Sequence, residues 1–185
     1  MRFEMIFVIL AGIFLGTLIL NENRNNASSS DTLLDTQYGI NAVSIANSYV
    51  EKISNPALAF DEYTISNAAQ PTSADSSAKL PLLSSVMVRE TGEVYQGQYD
   101  DVDDYNGLDT MVVVSGLGNF HVRIAVRYFD PIYLIPSSDH QWAKEVTVTV
   151  TDTVPGSPNL HYLQFNGVQS SVMKKFMVGY FKFLQ

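Results

Sequence analysis

The chain has no cysteine and little positive charge. Without a thiol there is no disulfide framework, no thiolate metal site, no cysteine nucleophile and no covalently attached haem. Its 11 Lys and Arg are outnumbered by 19 Asp and Glu, for a net charge of −8, and apart from Lys174 and Lys175 they are scattered. Contact with a phosphate backbone needs clustered cations, so nucleic acid is excluded as a partner. Catalytic signatures are missing as well. His121, His140 and His161 stand far apart and none belongs to H-E-x-x-H. Gly116-Leu117-Gly118 lacks the third glycine of a dinucleotide fingerprint and precedes a strand rather than a helix. Ser115-Gly116 is not set in G-x-S-x-G. No stretch offers a nucleophile with its base, so the chain is expected not to be an enzyme.

What the sequence does have is a greasy start. From Met5 to Leu20 the residues are apolar apart from small ones and Thr17. As a helix this run would cover roughly 24 Å, slightly less than a bilayer core of about 30 Å. Each large side chain left in water forgoes about 1.5–3 kcal/mol, so the run must be buried in lipid or against other copies of itself. Glu4 sits at its head. The positive end of the helix dipole favours a carboxylate there, while desolvation opposes it unless a cation answers it. Two readings stand: Met1–Glu4 lie at headgroup level with Arg2, or Glu4 pairs with a neighbouring subunit's amino terminus and sets the register of a bundle. A secretory signal peptide would also begin with Arg2 and an apolar stretch. However, NENRNNASSSD puts Asn25 and Ala27 where A-x-A is wanted, and a retained anchor is expected.

Residues Asn21 to Asp31 are rich in Asn and Ser, which compete with helical hydrogen bonds, so 1–31 reads as a hydrophobic helix followed by a polar segment prone to melting. Asn26-Ala27-Ser28 is a glycosylation sequon, with Asn26 as acceptor. Ser30 or Asp31 can cap the next helix. Over 32–56, Leu34, Tyr38, Ala42, Ile45, Ala46, Tyr49 and Ile53 recur every three or four residues and predict an amphipathic helix ended by Asn55-Pro56. Residues 57–79 read as an irregular connection, pinned by Phe60, Tyr63 and Ile65. Strand patterns fill 80–185: Leu83–Glu90, Val94–Tyr99, Asp109–Val114, Phe120–Phe129, Glu145–Thr151, Leu160–Phe165 and Phe176–Phe183. The alternation in FHVRIAVRYF and EVTVTVT predicts an antiparallel sheet with one covered and one wet face. The fold class that follows is α+β: a long hydrophobic-then-amphipathic N-terminal helix packed on an antiparallel head domain.

One stretch gathers negative charge. Tyr99–Asp109, YDDVDDYNGLD, packs four carboxylates into five residues, and these repel unless water, Arg or a cation screens them. A hard cation, calcium, fits such ligands, with Asp100, Asp101, Asp103, Asp104 and Asn106 as the candidate set. The spacing departs from the EF-hand: Tyr105 holds the third ligand position and Gly107 comes one place late. The alternative is a solvated Asp/Asn turn closed by Asn106-Gly107.

Four features together resemble type IV pilin-like proteins, the group of pilus subunits and type II secretion pseudopilins. They are the apolar helix headed by Glu4, its amphipathic continuation NAVSIANSYVEKIS, the acidic turn DDVDDYNG and the strand KEVTVTVT. The resemblance implies a lollipop-shaped subunit with a transmembrane helix, held in the cytoplasmic membrane before assembly. It then joins identical subunits in an extracellular helical homopolymer at the cell surface. Glu4 would meet a neighbour's amino terminus, with Arg2, Phe3, Ile6, Leu10, Phe14 and Leu18 in the core of the filament. The alternatives are a minor pseudopilin of a secretion machine and a membrane-anchored, calcium-dependent surface binding module. Two departures are plain: the glutamate is fourth rather than fifth, and no basic leader ending in Gly precedes it.

Overall fold

The computed structural model describes residues 2–55, 58–61, 80–85, 87–153, 164–165 and 168–179. Within the helix, side chains are described at 10, 12–26, 33 and 35–53; strand residues 153, 164, 165, 168 and 169 are described by backbone alone. Helix α1 (Arg2–Ile53) is followed by strands β1 (Asp109–Val114), β2 (Gly118–Asp130), β3 (Ile135–Pro136) and β4 (Ala143–Thr153). After these come β5 (Gln164–Phe165), β6 (Val168–Gln169) and β7 (Val172–Gly179). The main sheet runs β1-β2-β4-β7 with every neighbour antiparallel; β3 pairs with the end of β2, and β5-β6 form a separate ladder.

Period-two patterning decides which face is covered. In the β2–β4 register, Val122 lies opposite Val150, Ile124 opposite Val148 and Val126 opposite Val146. All six are buried, giving a ladder of β-branched pairs that favours the strand pairing itself. The other face carries Arg123 opposite Thr149 and Arg127 opposite Glu145, the latter joined by an Arg127 Nε–Glu145 Oε1 hydrogen bond of 2.8 Å. Helix residues Tyr38, Ala42, Ala46 and Ile53 are buried against this ladder and Phe120, with Ile45 and Tyr49 partly buried beside them. Alanine at two successive turns lets the helix backbone come close to the sheet. Tyr38 stacks at 5.6 Å from Phe120 and its hydroxyl donates to the Leu117 carbonyl.

Several expectations are corrected. The fold class, a long hydrophobic-then-amphipathic N-terminal helix packed on a sheet head, is overturned, and the transmembrane helix goes with it. The described helical side chains form short stretches, chiefly 12–26 and 35–53, and among the described residues no helix is long and apolar enough to cross a membrane. The reason is compositional: from Leu10 the described apolar run is diluted by Gly12, Gly16 and Thr17 and stops at Leu20, before Asn21-Glu22-Asn23-Arg24. The part of α1 that meets the sheet lies within 35–53. Through Asn21–Asp31, where loosening was expected, the backbone stays helical.

Leu83–Glu90 and Val94–Tyr99 are not strands. Leu80–Leu82 forms a 3-10 turn, and Gln98 Oε1 accepts the backbone N–H groups of Val94 (2.9 Å) and Tyr95 (3.3 Å), satisfying locally the donors a ladder would need. β7 begins at Val172, earlier than Phe176, since Lys174 and Lys175 fall inside its alternation. The expected strands at 160–163 and 180–183, and Leu34, Tyr63, Ile65 and His161, lie outside the described residues or side chains.

Candidate functional site

Two regions break the usual rule of burial. The first is the amino-terminal part of α1. Leu10, Ile13, Phe14, Leu15, Leu18, Ile19 and Leu20 are 48–66% exposed, and at about 100° per residue they cover every side of the helix. Of the residues expected to drive assembly, Leu10, Phe14 and Leu18 therefore present free apolar surface. Arg2, Phe3, Glu4 and Ile6 have helical backbone, and their side chains lie outside those described. Asn26 is exposed on the helix.

The second region is the acidic turn, and it is buried. Asp101, Asp103 and Asp104 are essentially inaccessible, as are Asp61 and Lys144. The turn is a 3-10 helix over Asp103–Tyr105, held by its own carboxylates. Asp101 Oδ1 accepts from the backbone N–H of Asp103 (2.7 Å) and Asp104 (3.3 Å), and Asp104 Oδ2 from those of Asp100 (2.9 Å) and Asp101 (3.1 Å). This is the local Asx chemistry that favours Asp in turns. Asn106 clamps the turn to its surroundings: its Nδ2 donates to the Met87 carbonyl at 2.7 Å, and its Oδ1 accepts from Val126 N–H at 2.8 Å. Gly107, with φ +74°, then carries the chain into the sheet, its N–H bonded to the Ile124 carbonyl.

Lys144 is the buried counter-charge. Its Nζ donates to the Phe60 carbonyl (2.7 Å) and Asp61 Oδ2 (3.1 Å), and pairs with Asp103 Oδ1. It lies 4.4 Å from the centre of the Phe60 ring and 5.5 Å from that of Tyr128. Burial still dominates the acids. It pushes the Asp103 carboxyl up to about 6 against the pull of Lys144, and Asp101, with the Asp103 charge beside it, up to about 8. Partial burial, then the neighbouring Asp104 and Glu90 carboxyls, push Glu93 up to about 8, while burial and then Asp104 push Glu90 upward against the pull of Glu93.

The five residues expected to share a calcium ion do not converge. Asp100 is exposed, Asp101 holds the turn, Asp103 faces Lys144, and both polar atoms of Asn106 are occupied by backbone. Among the described residues, Asp104 is the member of the set that comes together with two further carboxylates able to share an ion, those of Glu90 and Glu93. Four participants were missed by sequence reasoning: Asp61, Glu90, Glu93 and Lys144. For Lys144 a signal existed, since period two puts it on the same face as Val146, Val148 and Val150. Glu90 and Glu93 carried none, because their partner is eleven or more positions away across an irregular segment. Comparison of the chain with family models, with curated proteins and with solved structures gives no match.

Proposed function

We propose that this protein is a structural subunit that polymerises through the amino-terminal part of α1 into an extracellular, type IV pilus-like filament of identical copies. The observation that carries the reading is the stretch Leu10–Leu20, whose large apolar side chains are exposed on every side of the helix. Burying each one recovers about 1.5–3 kcal/mol, whereas a free monomer leaves an apolar surface of a kind that soluble monomers rarely show. A surface on one side of a helix suits a groove or a lipid interface, but one that wraps around it suits a bundle. Copies of the same helix offer it reciprocally, and repetition of a head-to-tail contact yields a helical polymer. Gly12 and Gly16, one turn apart with open space beside both, leave room for a neighbouring helix to approach closely. The proposal needs no membrane-spanning helix. The sheet domain would then form the outer surface, and under this reading that surface faces the outside of the cell.

The test is electron microscopy of material sheared from cells and of the purified full chain, beside the Leu18→Asp variant. Filaments are expected from the natural chain and none from the variant. A full chain that stays monomeric in sedimentation and forms no fibres overturns the proposal.

A further inference from the structure

We propose that Glu90, Glu93 and Asp104 form a binding site for a single Ca²⁺ ion, which ties the Glu90–Glu93 turn to the Asp103–Tyr105 turn. This holds whether or not the chain polymerises.

The turn E-T-G-E is built to put its two glutamates side by side. Glu93 N–H bonds to the Glu90 carbonyl at 3.3 Å, Glu90 N–H reaches back to Glu93 Oε2 at 3.3 Å, and Gly92 takes φ +121°, a conformation that L side chains rarely adopt. Asp104 approaches from the 3-10 turn, so that one oxygen from each of the three carboxylates lies within 4.8 Å of the others. In this partly buried setting burial and the neighbouring Asp104 disfavour the ionised forms of Glu90 and Glu93, and a cation would restore them. Among the described residues no Lys or Arg forms an ion pair with any of them, and Lys144 is committed to Asp61 and Asp103.

A second observation, from hydrogen bonding rather than proximity, points to a ligand. Asp104 is fully buried; its Oδ2 is satisfied by two backbone N–H groups, yet its Oδ1 is buried with no hydrogen-bond partner. Leaving a buried charged oxygen unanswered is costly, and such atoms are rare in folded proteins. A cation held with Glu90 and Glu93 would answer it.

The chemistry of the donors selects the ion. All three are carboxylate oxygens; the chain has no thiolate, and among the described residues no imidazole joins the group to favour zinc. Calcium binds oxygens at about 2.4 Å, so two of its ligands can stand up to roughly 4.8 Å apart, and the three carboxylates fall within that limit. Magnesium, at about 2.1 Å, demands near-octahedral geometry and gives up its waters reluctantly, which donors drawn from two separate turns suit less well. Glu90 and Glu93 are only partly buried, which leaves the outer positions of the ion to water. Three carboxylates open to solvent on one side correspond to the weaker extracellular class of site, with Kd of about 0.1–1 mM.

The experiment is equilibrium dialysis of the full chain against Ca²⁺, with thermal unfolding followed in chelator, in Ca²⁺ and in Mg²⁺. One ion per chain and a midpoint raised by Ca²⁺ more than by Mg²⁺ are expected. Glu93→Gln is expected to lose the Ca²⁺ response while unfolding in chelator no earlier than the natural chain, because a neutral amide replaces a carboxyl that burial already holds toward its neutral form. Glu90→Gln serves as the second variant, with neither substitution touching the backbone-bound Asp104. No Ca²⁺ binding at about ten times the expected Kd, an equal or larger response to Mg²⁺, or a Ca²⁺ response surviving in both variants would each overturn the assignment.

Discussion

The amino-terminal part of α1 and the pocket under Asp101–Asp104 are opposite failures of the same rule. In one, Phe14 and its neighbours are apolar and face water; in the other, four aspartates and a lysine are ionisable and do not. Both arrangements cost the isolated subunit free energy that ordinary folding would recover. They differ in how much of that cost is met within the chain. The pocket meets most of it, through backbone N–H donors and Lys144, and leaves a few oxygens over. The helix meets none of it along Leu10–Leu20. An exposed apolar rod therefore asks for a large partner, and a buried acidic pocket for a small one.

The sharpest way to break the comparison is to remove the internal counter-charge. Lys144→Met leaves Asp61 and Asp103 buried without their cation, and loss of one member of a buried pair typically costs about 3–5 kcal/mol. Denaturant unfolding of the variant is expected to show a loss of that order, larger at pH 8 than at pH 5, where protonated Asp103 has less need of a partner. A loss below about 1 kcal/mol, the size of an exposed pair, would mean that the pocket is not held by Lys144.

A smaller effect should appear in pH dependence with the natural sequence. Asp101 takes up its proton at about 8 in the folded chain instead of 3.8, its ordinary value, because burial disfavours the charge. Between those values the folded state binds more protons than the unfolded one, so stability falls as pH rises. In chelator, the thermal midpoint is expected to drop from pH 5 to pH 8, and Asp101→Asn to flatten that drop. A midpoint that climbs over this range would show that the carboxyl is ionised and stabilised by its surroundings.

The two regions were unequally legible in the sequence. Local patterns sufficed for the sheet face, because Val122, Ile124, Val126, Val146, Val148 and Val150 each take their place by alternation alone. They sufficed for the face of α1 that carries Tyr38, Ala42, Ala46 and Ile53, where one helical period decides burial. The acidic stretch was visible as a concentration of charge, but its geometry was not. Nothing in YDDVDDYNG says that Asp103 turns to a lysine forty-one positions on, or that Asn106 spends its amide on Met87 and Val126. The apparent strand at 83–90 failed for a related reason: its residues answer to contacts with Asp61, Tyr128 and Asn106 rather than to a neighbouring strand. Apolar content misled along α1, where the described apolar stretch is interrupted by Gly12, Gly16 and Thr17 and ends at Leu20.

The smallest expected effect separates assembly from folding. Leu18 is half exposed, and the part of α1 that enters the core begins well beyond it, at Tyr38. Leu18→Asp should therefore change the stability of the dissociated subunit by no more than about 0.5 kcal/mol, the usual range for surface positions. The same substitution is expected to abolish polymerisation, because in the filament it would bury a carboxylate among apolar neighbours. Denaturant unfolding of the variant, compared with the natural chain under dissociating conditions, measures the first quantity apart from the second. If the subunit's own stability drops by several times that limit, residues near Leu18 are packed against the sheet domain. The exposed rod would then be part of the fold rather than a surface reserved for other copies.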